Sequence, residues 1–293
     1  MNILTFDIEE WYLRRNRYAN DYSKYAELDR YLDEILNLLA LRNIKATFFC
    51  LGKMTLKYSN IIRRIDEQGH EIGCHSNSHV WLNKMTYDEV KEDTYCSIDV
   101  LEQCIGKKIR SYRAPAFSIC EDNKWVFEIL LENGIERDAS IFPLSRDFGG
   151  FPNFGFKTPV IIQSSNKSRI KEFPVCTANL LGKEIAYSGG GYFRFFPLWY
   201  IKNEIVKSNY AMTYFHIGDL MPESDRVMSK EAYENYYKEP GTKYARYKRY
   251  IKSNLGKKSA FVKLKKLIDK VDFMSLDQAD EVVDWSRCDI LEM

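Results

Sequence analysis

Three of the four histidines of the chain lie within residues 69–79, which read GHEIGCHSNSH. His75 and His79 are four residues apart, so one helical turn would place both imidazoles on one face. Neutral imidazole is the commonest protein ligand for zinc-like metals, and a catalytic site adds a further protein ligand and an open position for water. The pair therefore predicts a metal site that needs a carboxylate from elsewhere in the chain.

Carboxylates follow the first apolar segment of the chain. Residues 3–6 (ILTF) are predicted to form a short buried strand that leads into Asp7, Glu9 and Glu10. In α/β proteins the carboxyl-terminal ends of parallel strands carry the functional groups. The sequence therefore places candidate carboxylates at a sheet edge that the histidine segment can also reach.

Strands and helices alternate in the elements that must position these groups. The first predicted elements are a strand at 3–6, a helix at 28–41, a strand at 46–52, a helix around Ile61, Ile62 and Ile65 that ends at Gly69, and a strand at 71–75. This order predicts parallel strands with helices outside, and hence an α/β fold. The later ones are a helix from Thr86 with a Thr86–Glu89 capping box, a helix at 121–133, strands at 171–175 and 211–216, helices at 197–207 and 257–271, and a strand from Phe273 before a helix capped by Ser275 and Gln278.

The remaining segments are predicted to lack regular structure. Residues 12–25, rich in Arg, Asn and Tyr, are typical of a long loop, and residues 188–192 (SGGGY) predict a tight turn. We interpret residues 1–293 as a single domain. It carries a long insertion at about 140–170, near the site, and a Tyr-rich, basic helical part at about 222–293.

Composition excludes several classes of protein. The chain has 43 Lys and Arg against 41 Asp and Glu, a net charge of +2 that argues against a dedicated nucleic-acid binder. Its seven scattered cysteines without a CxxC pair indicate reduced thiols and a cytoplasmic location. We expect neither a signal peptide nor a transmembrane helix. The basic helix from Lys257 is read as a solvated face, with peripheral membrane contact as the less favoured alternative, and the oligomeric state stays open.

Three strings occur in a family-specific order: ATFFCLG at 46–52, GHEIGCHSNSH at 69–79 and YRAPAFS at 112–118. Together they resemble the polysaccharide deacetylases, the NodB-homology or carbohydrate esterase family 4 group. RAPAFSI, RDASIFP, SGGGYFRFFP and YFHIGDLMPE resemble more narrowly the branch that accompanies bacterial exopolysaccharide and exosortase genes. The resemblance implies a distorted (β/α) barrel with its site at the carboxyl ends of the strands.

The resemblance also implies roles for individual residues. Asp7 matches the general base, His75 and His79 match the two metal histidines, Arg113 matches the arginine that holds the base, and His216 matches the general acid. The implied reaction is metal-assisted hydrolysis of an N-acetyl group on a saccharide. The implied metal is Zn²⁺, with Co²⁺ or Ni²⁺ as alternatives.

One motif position departs from the family. Ile8 stands where the family has its second aspartate, the third metal ligand, and isoleucine cannot bind metal. The exopolysaccharide branch that the chain resembles carries D-x-[DE] at this point, which implies Glu9 as the carboxylate ligand. In an extended strand Asp7 and Glu9 point to the same side, so the geometry permits this replacement. Glu10 is the alternative if a bulge shifts the register.

Further residues are assigned more loosely. Asp138 is expected to pair with Arg113 in the catalytic group, and Tyr192 and Arg194 are expected to line a sugar subsite. Two other functions stay open at this point: an amidohydrolase of a small non-sugar amide on the same fold, and a metal-free saccharide-binding relative, which the departure at Ile8 keeps in consideration.

Overall fold

A computed structural model describes residues 1–17, 22–146, 149–222, 226–237 and 239–293. The strands in the described residues are β1 (Asn2–Ile8), β2 (Thr47–Cys50), β3 (Glu71–Cys74), β4 (Ser111–Tyr112), β5 (Arg137–Asp138), β6 (Val160–Gln163), β7 (Arg169–Glu172), β8 (Thr177–Leu180), β9 (Lys183–Ala186), β10 (Ala211–His216) and β11 (Ile290–Glu292). The α-helices are α1 (Glu10–Arg17), α2 (Tyr22–Leu41), α3 (Thr55–Glu67), α4 (Tyr87–Ile105), α5 (Val126–Glu132), α6 (Gly190–Phe195), α7 (Leu198–Lys207), α8 (Ile217–Leu220), α9 (Lys230–Tyr237), α10 (Lys243–Asn254), α11 (Lys257–Ile268) and α12 (Leu276–Val282).

The main sheet confirms the expected α/β class. Its strands follow the order β10-β1-β2-β3-β4-β5-β7-β6-β11, and neighbours from β10 to β7 pair in parallel. Only the β6–β7 pair in this sheet is antiparallel among the described strands, and β8 and β9 form a separate hairpin. Because the strands are parallel, the carboxyl ends of β10, β1, β2, β3 and β4 meet at one edge of the sheet.

Burial follows the apolar periodicity of the sequence. β1 is buried from Ile3 to Ile8, as expected for a parallel strand that is covered on both faces. The fully buried side chains of α2 lie at the predicted helical spacing and include Leu32, Ile35, Leu36 and Leu39. The predicted capping box of α4 is present, since Thr86 and Glu89 each bond the other's backbone N–H. None of the described helices is long and apolar enough to span a bilayer.

The prediction of a loop at 12–25 is wrong for the described residues. They are helical up to Arg17 and again from Tyr22, and residues 18–21 lie outside the described part of the chain. Trp11 explains the first helix, because its ring is almost fully buried and its Nε1 donates to Asp29 Oδ1 at 3.2 Å. A single large aromatic anchor thus replaces the apolar stripe that sequence periodicity requires.

Two other local predictions need correction. The SGGGY segment is not only a turn, because α6 begins within it, at Gly190. The strand expected from Phe273 is reduced to an isolated bridge between Met274 and Ile3. The structure has the helix that follows, capped by Ser275 and Gln278, as predicted.

His70 has a structural environment at the amino-terminal side of β3. Its side chain is buried, and its Nδ1 accepts the backbone N–H of Ala46 at 3.3 Å. Burial, and to a smaller extent the charge of Lys45, lowers the pKa of His70 to about 4. The neutral imidazole is therefore the form that the fold requires.

We expect the stability of the protein to fall between pH 7.5 and pH 5 because of His70. The unfolded chain binds this proton below about pH 6.5, whereas the folded chain resists it down to about pH 4, so acidification favours unfolding by roughly 2 kcal/mol at pH 5. His70→Asn keeps an acceptor for the Ala46 N–H and does not titrate. Urea unfolding at both pH values should show a smaller pH dependence in the variant, and equal pH dependence in both proteins would contradict the assignment.

Candidate active site

Glu9, His75 and His79 converge at the carboxyl edge of the sheet. Glu9 directly follows β1, and His75 directly follows β3. Glu9 Oε2 lies 2.6 Å from His79 Nε2 and 3.4 Å from His75 Nε2, and one ligand atom from each residue falls within 4.8 Å of the others. The side chains are 12%, 2% and 8% exposed, respectively. Two imidazole nitrogens and a carboxylate oxygen are a ligand set that suits a zinc-like cation.

An irregular loop brings His75 and His79 together, so the prediction of a helical turn between them is wrong. Ser76 and His79 have φ angles of 65° and 63°, and the backbone between them follows no helix. The Ser76 hydroxyl accepts the His79 N–H at 3.1 Å. From α4, Asp93 accepts the Asn77 N–H at 2.8 Å. Hydrogen bonds from a neighbouring helix therefore replace helical geometry in setting this pair.

The orientation of His75 fits the role of a ligand. Its Nδ1 lies 2.7 Å from the backbone carbonyl oxygen of Arg113. A carbonyl can only accept, so Nδ1 carries the hydrogen, and Nε2 is the nitrogen that is directed toward Glu9. Such a second hydrogen bond is the usual device that fixes the tautomer of a metal-binding histidine. Burial raises the pKa of Glu9, but the charges of His79 and His216 outweigh it and hold that pKa well below its usual range.

The carboxylate that reaches the imidazoles is Glu9. Ile8 is fully buried in the core, while Asp7 and Glu9 lie on the opposite side of the extended chain. Glu10 begins α1, and its Oε1 accepts the backbone N–H of Gly218. The departure at Ile8 therefore leaves a carboxylate in the cluster, one residue further along the chain.

Asp7 and Arg113 form a buried ion pair beside this cluster. Asp7 is 2% exposed, and its Oδ1 accepts from Arg113 Nη1 at 2.9 Å. The same nitrogen donates to Thr5 Oγ1 at 2.6 Å, while Nε donates to the carbonyl of Ala139 at 3.1 Å. The guanidinium also lies 4.3 Å from the centre of the Phe49 ring. Arg113 is thus fixed on several sides and holds one carboxylate oxygen of Asp7.

His216 faces the cluster from the other side. It ends β10, and it is the register partner of Asp7 on β1. Its Nε2 lies 3.9 Å from Asp7 Oδ2 and 3.5 Å from Glu9 Oε1, and its Nδ1 lies 2.9 Å from Asp219 Oδ2. Burial lowers the pKa of His216, but the carboxylates of Glu9, Asp219 and Asp7 outweigh it and hold the pKa well above its usual range. With 34% of the side chain exposed, the ring is accessible from solvent.

Asp138 does not pair with Arg113, contrary to the expectation. It is fully buried on β5, where its carboxylate accepts from the Ser140 hydroxyl at 2.6 Å and the Ser140 N–H at 3.1 Å. Its register partner on β7 is Glu172, whose pKa is raised well above its usual range by burial and by the Asp138 carboxylate. Asp138 is therefore engaged in the core by Ser140 and lies beside Glu172, and Asp7 is the ion-pair partner of Arg113.

The two residues expected at a sugar subsite have different environments. Tyr192 lies on α6 with 39% of its surface exposed. Arg194, on the same helix, is 7% exposed, and its Nη1 contacts Asp219 Oδ1 at 2.8 Å. Its terminal nitrogens also donate to the carbonyls of Lys252 and Ser253 at 3.2 and 2.8 Å. The guanidinium of Arg194 is thus engaged by the protein, which departs from the expectation that it lines a subsite.

Two family models divide the chain. The polysaccharide deacetylase model matches residues 3–134, which contain Asp7, Glu9, His75, His79 and Arg113. Residues 3–134 belong to the polysaccharide deacetylase family. A second model, described as a domain of unknown function (DUF3473), matches residues 139–281, which contain His216 and Asp219. The site thus combines side chains from both regions.

Relatives of the polysaccharide deacetylase region carry related names. A peptidoglycan-N-acetylglucosamine deacetylase of Bacillus cereus is 38% identical over 96 residues, which is 32% of this chain and 35% of the relative. A peptidoglycan-N-acetylglucosamine deacetylase of Listeria monocytogenes is 39% identical over 56 residues, 19% of this chain and 12% of the relative. The chain spans about a third of the length of the first of these curated relatives.

One solved structure shares the overall fold. It comes from Mycobacterium smegmatis and is assigned to the polysaccharide deacetylases. It superposes with a TM-score of 0.60 at 16% identity, over 98% of this chain and 91% of that one. This likeness supports the polysaccharide deacetylase fold for the full length of the chain, including the region of the second family model.

Sequence reasoning missed Asp219 and Thr5. Asp219 follows His216 by three residues, a spacing at which a carboxylate can reach back to the ring when a helix starts at the histidine. That spacing was a usable signal. Thr5 gave none, because its contact with Arg113 joins residues 108 positions apart.

Proposed function

We propose that the protein is a metal-dependent hydrolase that removes the acetyl group from an N-acetylated saccharide. The observation that carries the proposal is the cluster of Glu9, His75 and His79, with one ligand atom of each within 4.8 Å of the others. Asp7 lies on one side of it and His216 on the other. The family of residues 3–134 and the names of its relatives support the deacetylation of saccharides.

Glu9, His75 and His79 would hold the metal, for which Zn²⁺, Co²⁺ or Ni²⁺ are the candidates. A divalent metal bound there would supply Lewis-acid polarisation of the acetamide carbonyl and a water whose pKa falls to about 7. The residues fit such an ion, because the Arg113 carbonyl holds the His75 ring with Nε2 toward the cluster and the pKa of Glu9 is held well below its usual range.

Asp7 is the group that accepts the proton of the attacking water. Its Oδ1 is occupied by Arg113, which leaves Oδ2 on the side of His216 and the cluster. The fixed guanidinium holds the carboxylate by a charge-assisted hydrogen bond and prevents it from rotating. A general base held in this way contributes about 10²–10⁴-fold to the rate.

His216 is the group that returns a proton to the leaving amine. An amine anion is a poor leaving group, so cleavage of the C–N bond needs a proton at the nitrogen as the bond breaks. The exposed side of the imidazole provides access for a substrate, and Nε2 is the nitrogen that faces Asp7 and Glu9. Tyr192 on α6 offers a partly exposed ring suited to packing against a sugar.

We further propose a cytoplasmic role in bacterial cell-surface polysaccharide synthesis, within one functional unit that spans residues 1–293. The seven cysteines are all free, which fits a reducing compartment. The contacts between Asp7 and His216 support a single unit, since the two residues belong to different family models.

Substitution of Glu9 and Glu10, one at a time, should show which of the two glutamates binds the metal. We expect Glu9→Gln to weaken Zn²⁺ binding by more than about 10²-fold. Mutation of a residue that only hydrogen-bonds to a metal ligand already lowers metal affinity by about 10–100-fold, and loss of a ligand should cost more. Glu10→Gln is the matched control, since Glu10 Oε1 accepts the backbone N–H of Gly218, whereas the cluster contains Glu9. Competition with a chromophoric chelator measures both affinities. Unchanged affinity in Glu9→Gln, with a loss in Glu10→Gln, would move the ligand by one residue.

Acetate release tests the function itself. Metal-loaded protein is incubated with chitooligosaccharides, peptidoglycan fragments, nucleotide-linked N-acetyl sugars and small non-sugar acetamides, and free acetate is assayed enzymatically. We expect release from at least one N-acetylated saccharide and none after chelation. Release from the non-sugar amides alone would contradict the proposed substrate class.

A further inference from the structure

Helix α10 turns its apolar side chains toward solvent. None of its residues is buried. The large exposed apolar side chains of α10 and of the residue that follows it are Tyr244 (76% exposed), Tyr247 (54%), Ile251 (60%) and Leu255 (50%). Steps of three and four residues separate them, so they form a stripe along one face of the helix. Such a stripe normally faces a protein core, whereas this one faces water.

Polar contacts hold the opposite face of α10 on the protein. Arg246 Nη1 donates to the carbonyl of Met228 at 2.9 Å. The Arg249 guanidinium lies 4.4 Å from the centre of the Tyr237 ring. These contacts fix the rotation of the helix about its axis, so the apolar stripe points away from the protein.

The stripe continues onto α6. Gly256 packs against the backbone of Arg194, where a Cβ would lie 2.2 Å from the Arg194 carbonyl oxygen. The φ angle of Gly256 is 75°, so both the close approach and the backbone conformation require glycine. Leu255 precedes this contact and Phe195, 64% exposed, follows Arg194, which makes these two side chains neighbours at the surface. We call the resulting patch the α10 surface, and it consists of Phe195, Tyr244, Tyr247, Ile251 and Leu255.

Cations border the α10 surface. Helix α10 contains no acidic residue, and its basic residues are Lys243, Arg246, Lys248, Arg249 and Lys252. Lys243, Lys248 and Lys252 are exposed, and their positions in the helical repeat place them on the two sides of the stripe. An apolar stripe between lysines is the pattern of helices that lie in the interface of an anionic bilayer.

The chemistry of the α10 surface distinguishes between three occupants. A second copy of the chain would bring two acid-free, basic helices together, and like charges oppose that contact. An anionic glycan would bind the lysines and stack on the tyrosines, but the aliphatic Ile251 and Leu255 offer it neither a flat ring nor a polar group. An anionic bilayer uses both parts, because the acyl boundary takes the aliphatic side chains and the headgroups take the lysines.

Helix α11 differs from α10, although it is also basic. Its apolar side chains are directed inward, and the buried ones include Phe261, Leu264, Leu267 and Ile268. The lysines of α11 therefore form the solvated face that the sequence predicts for the helix from Lys257. Membrane contact is better supported by the preceding helix, whose apolar side has no protein partner in the described residues.

We propose that the α10 surface docks on an anionic lipid bilayer, with Ile251 and Leu255 at the headgroup boundary and the flanking lysines on lipid phosphates. Arg194 joins the docked helix to the candidate active site, because its guanidinium donates to the carbonyls of Lys252 and Ser253 and also contacts Asp219. Docking would hold the site close to the bilayer. The proposal is independent of the proposed deacetylase function, since each of its tests measures binding.

Co-sedimentation of the protein with vesicles tests the docking. We compare vesicles of phosphatidylcholine with vesicles of phosphatidylcholine and phosphatidylglycerol at a ratio of about 2:1. We expect the partition coefficient to be at least about tenfold higher on the anionic vesicles and to fall at high salt, because screening weakens the lysine–phosphate contacts. Failure of the wild-type protein to bind the anionic vesicles would overturn the proposal.

Two double variants separate the apolar and the basic parts of the surface. Ile251→Ser with Leu255→Ser should lower binding to anionic vesicles by at least about tenfold, because it removes the aliphatic side chains. Lys248→Gln with Lys252→Gln should lower it by about 30-fold, since each lysine near the bilayer contributes about fivefold. Leu56→Ser is the matched control, because Leu56 on α3 is an exposed leucine outside the α10 surface. Wild-type binding by the Ile251/Leu255 variant, or an equal loss in the control, would overturn the proposal.

Hydrogen exchange and two further measurements test where the contact lies and what makes it. Bound anionic vesicles should slow amide exchange in residues 243–255, and slowing confined to other segments would overturn the proposal. Binding to polygalacturonate, but not to vesicles, would assign the surface to an anionic glycan. A dimer in sedimentation velocity that dissociates in the Ile251/Leu255 variant would assign it to a second copy of the chain. Either of these last two results would also overturn the proposal.

Discussion

His75→Ala should leave the protein folded but unable to retain a divalent metal. The side chain is 2% exposed and its Nε2 is directed toward Glu9 by the hydrogen bond from Nδ1 to the Arg113 carbonyl. Removal of the ring takes away one of three candidate ligands, and we expect metal affinity to fall by more than about 10²-fold and acetate release to disappear. Elemental analysis after gel filtration measures the first effect.

His70→Asn is the matched control for this substitution. His70 belongs to the same eleven-residue string, but its Nδ1 accepts the Ala46 N–H and it lies outside the cluster. The control should therefore keep its metal. His75→Ala protein that binds metal as tightly as wild type would show that the cluster is not the metal site.

Asp7→Asn should bind metal normally and lose turnover by about 10²–10⁴-fold. The amide oxygen of Asn still accepts from Arg113, so the side chain keeps its place, but it cannot take a proton from water. Because the loss affects the chemical step, it should appear in kcat and not in KM. Steady-state acetate release, together with metal analysis of the same preparation, measures both quantities.

Stability must be followed in this variant, because neutralising Asp7 leaves the buried charge of Arg113 without its partner. Loss of one member of a buried ion pair costs about 3–5 kcal/mol. Urea unfolding before the assay identifies preparations that remain folded under assay conditions. Near-native turnover by folded, metal-loaded Asp7→Asn protein would show that Asp7 is not the base.

The sequence predicted those parts of the fold that rest on local patterns. The α/β class, the buried face of α2 and the capping boxes follow from periodicity and short-range hydrogen bonds. Helix α1 was missed because one aromatic residue, Trp11, anchors it in place of an apolar stripe. The backbone between His75 and His79 was wrongly expected to be helical, because hydrogen bonds to Ser76 in the loop and to Asp93 on α4 shape it.

The partners of buried charges were the least predictable part of the site. Spacing within an extended strand correctly brought Glu9 to the side of Asp7. In contrast, we expected Asp138 to pair with Arg113, but its carboxylate interacts with Ser140 and Glu172 in the core. Arg194 was expected at a sugar subsite, although it contacts Asp219. Ion-pair choice depends on tertiary distances of an ångström or two, which a pattern of residue types does not contain.

Titration of metal into chelator-treated protein tests the central claim most directly. Zn²⁺ is added in steps, and acetate release from an N-acetylated oligosaccharide is measured at each step beside bound metal. The account predicts that activity rises in proportion to bound metal and reaches its plateau at about one equivalent, as expected for one three-ligand catalytic site. Full activity in the metal-free protein, or stoichiometric metal binding without acetate release from any N-acetylated saccharide, would contradict it.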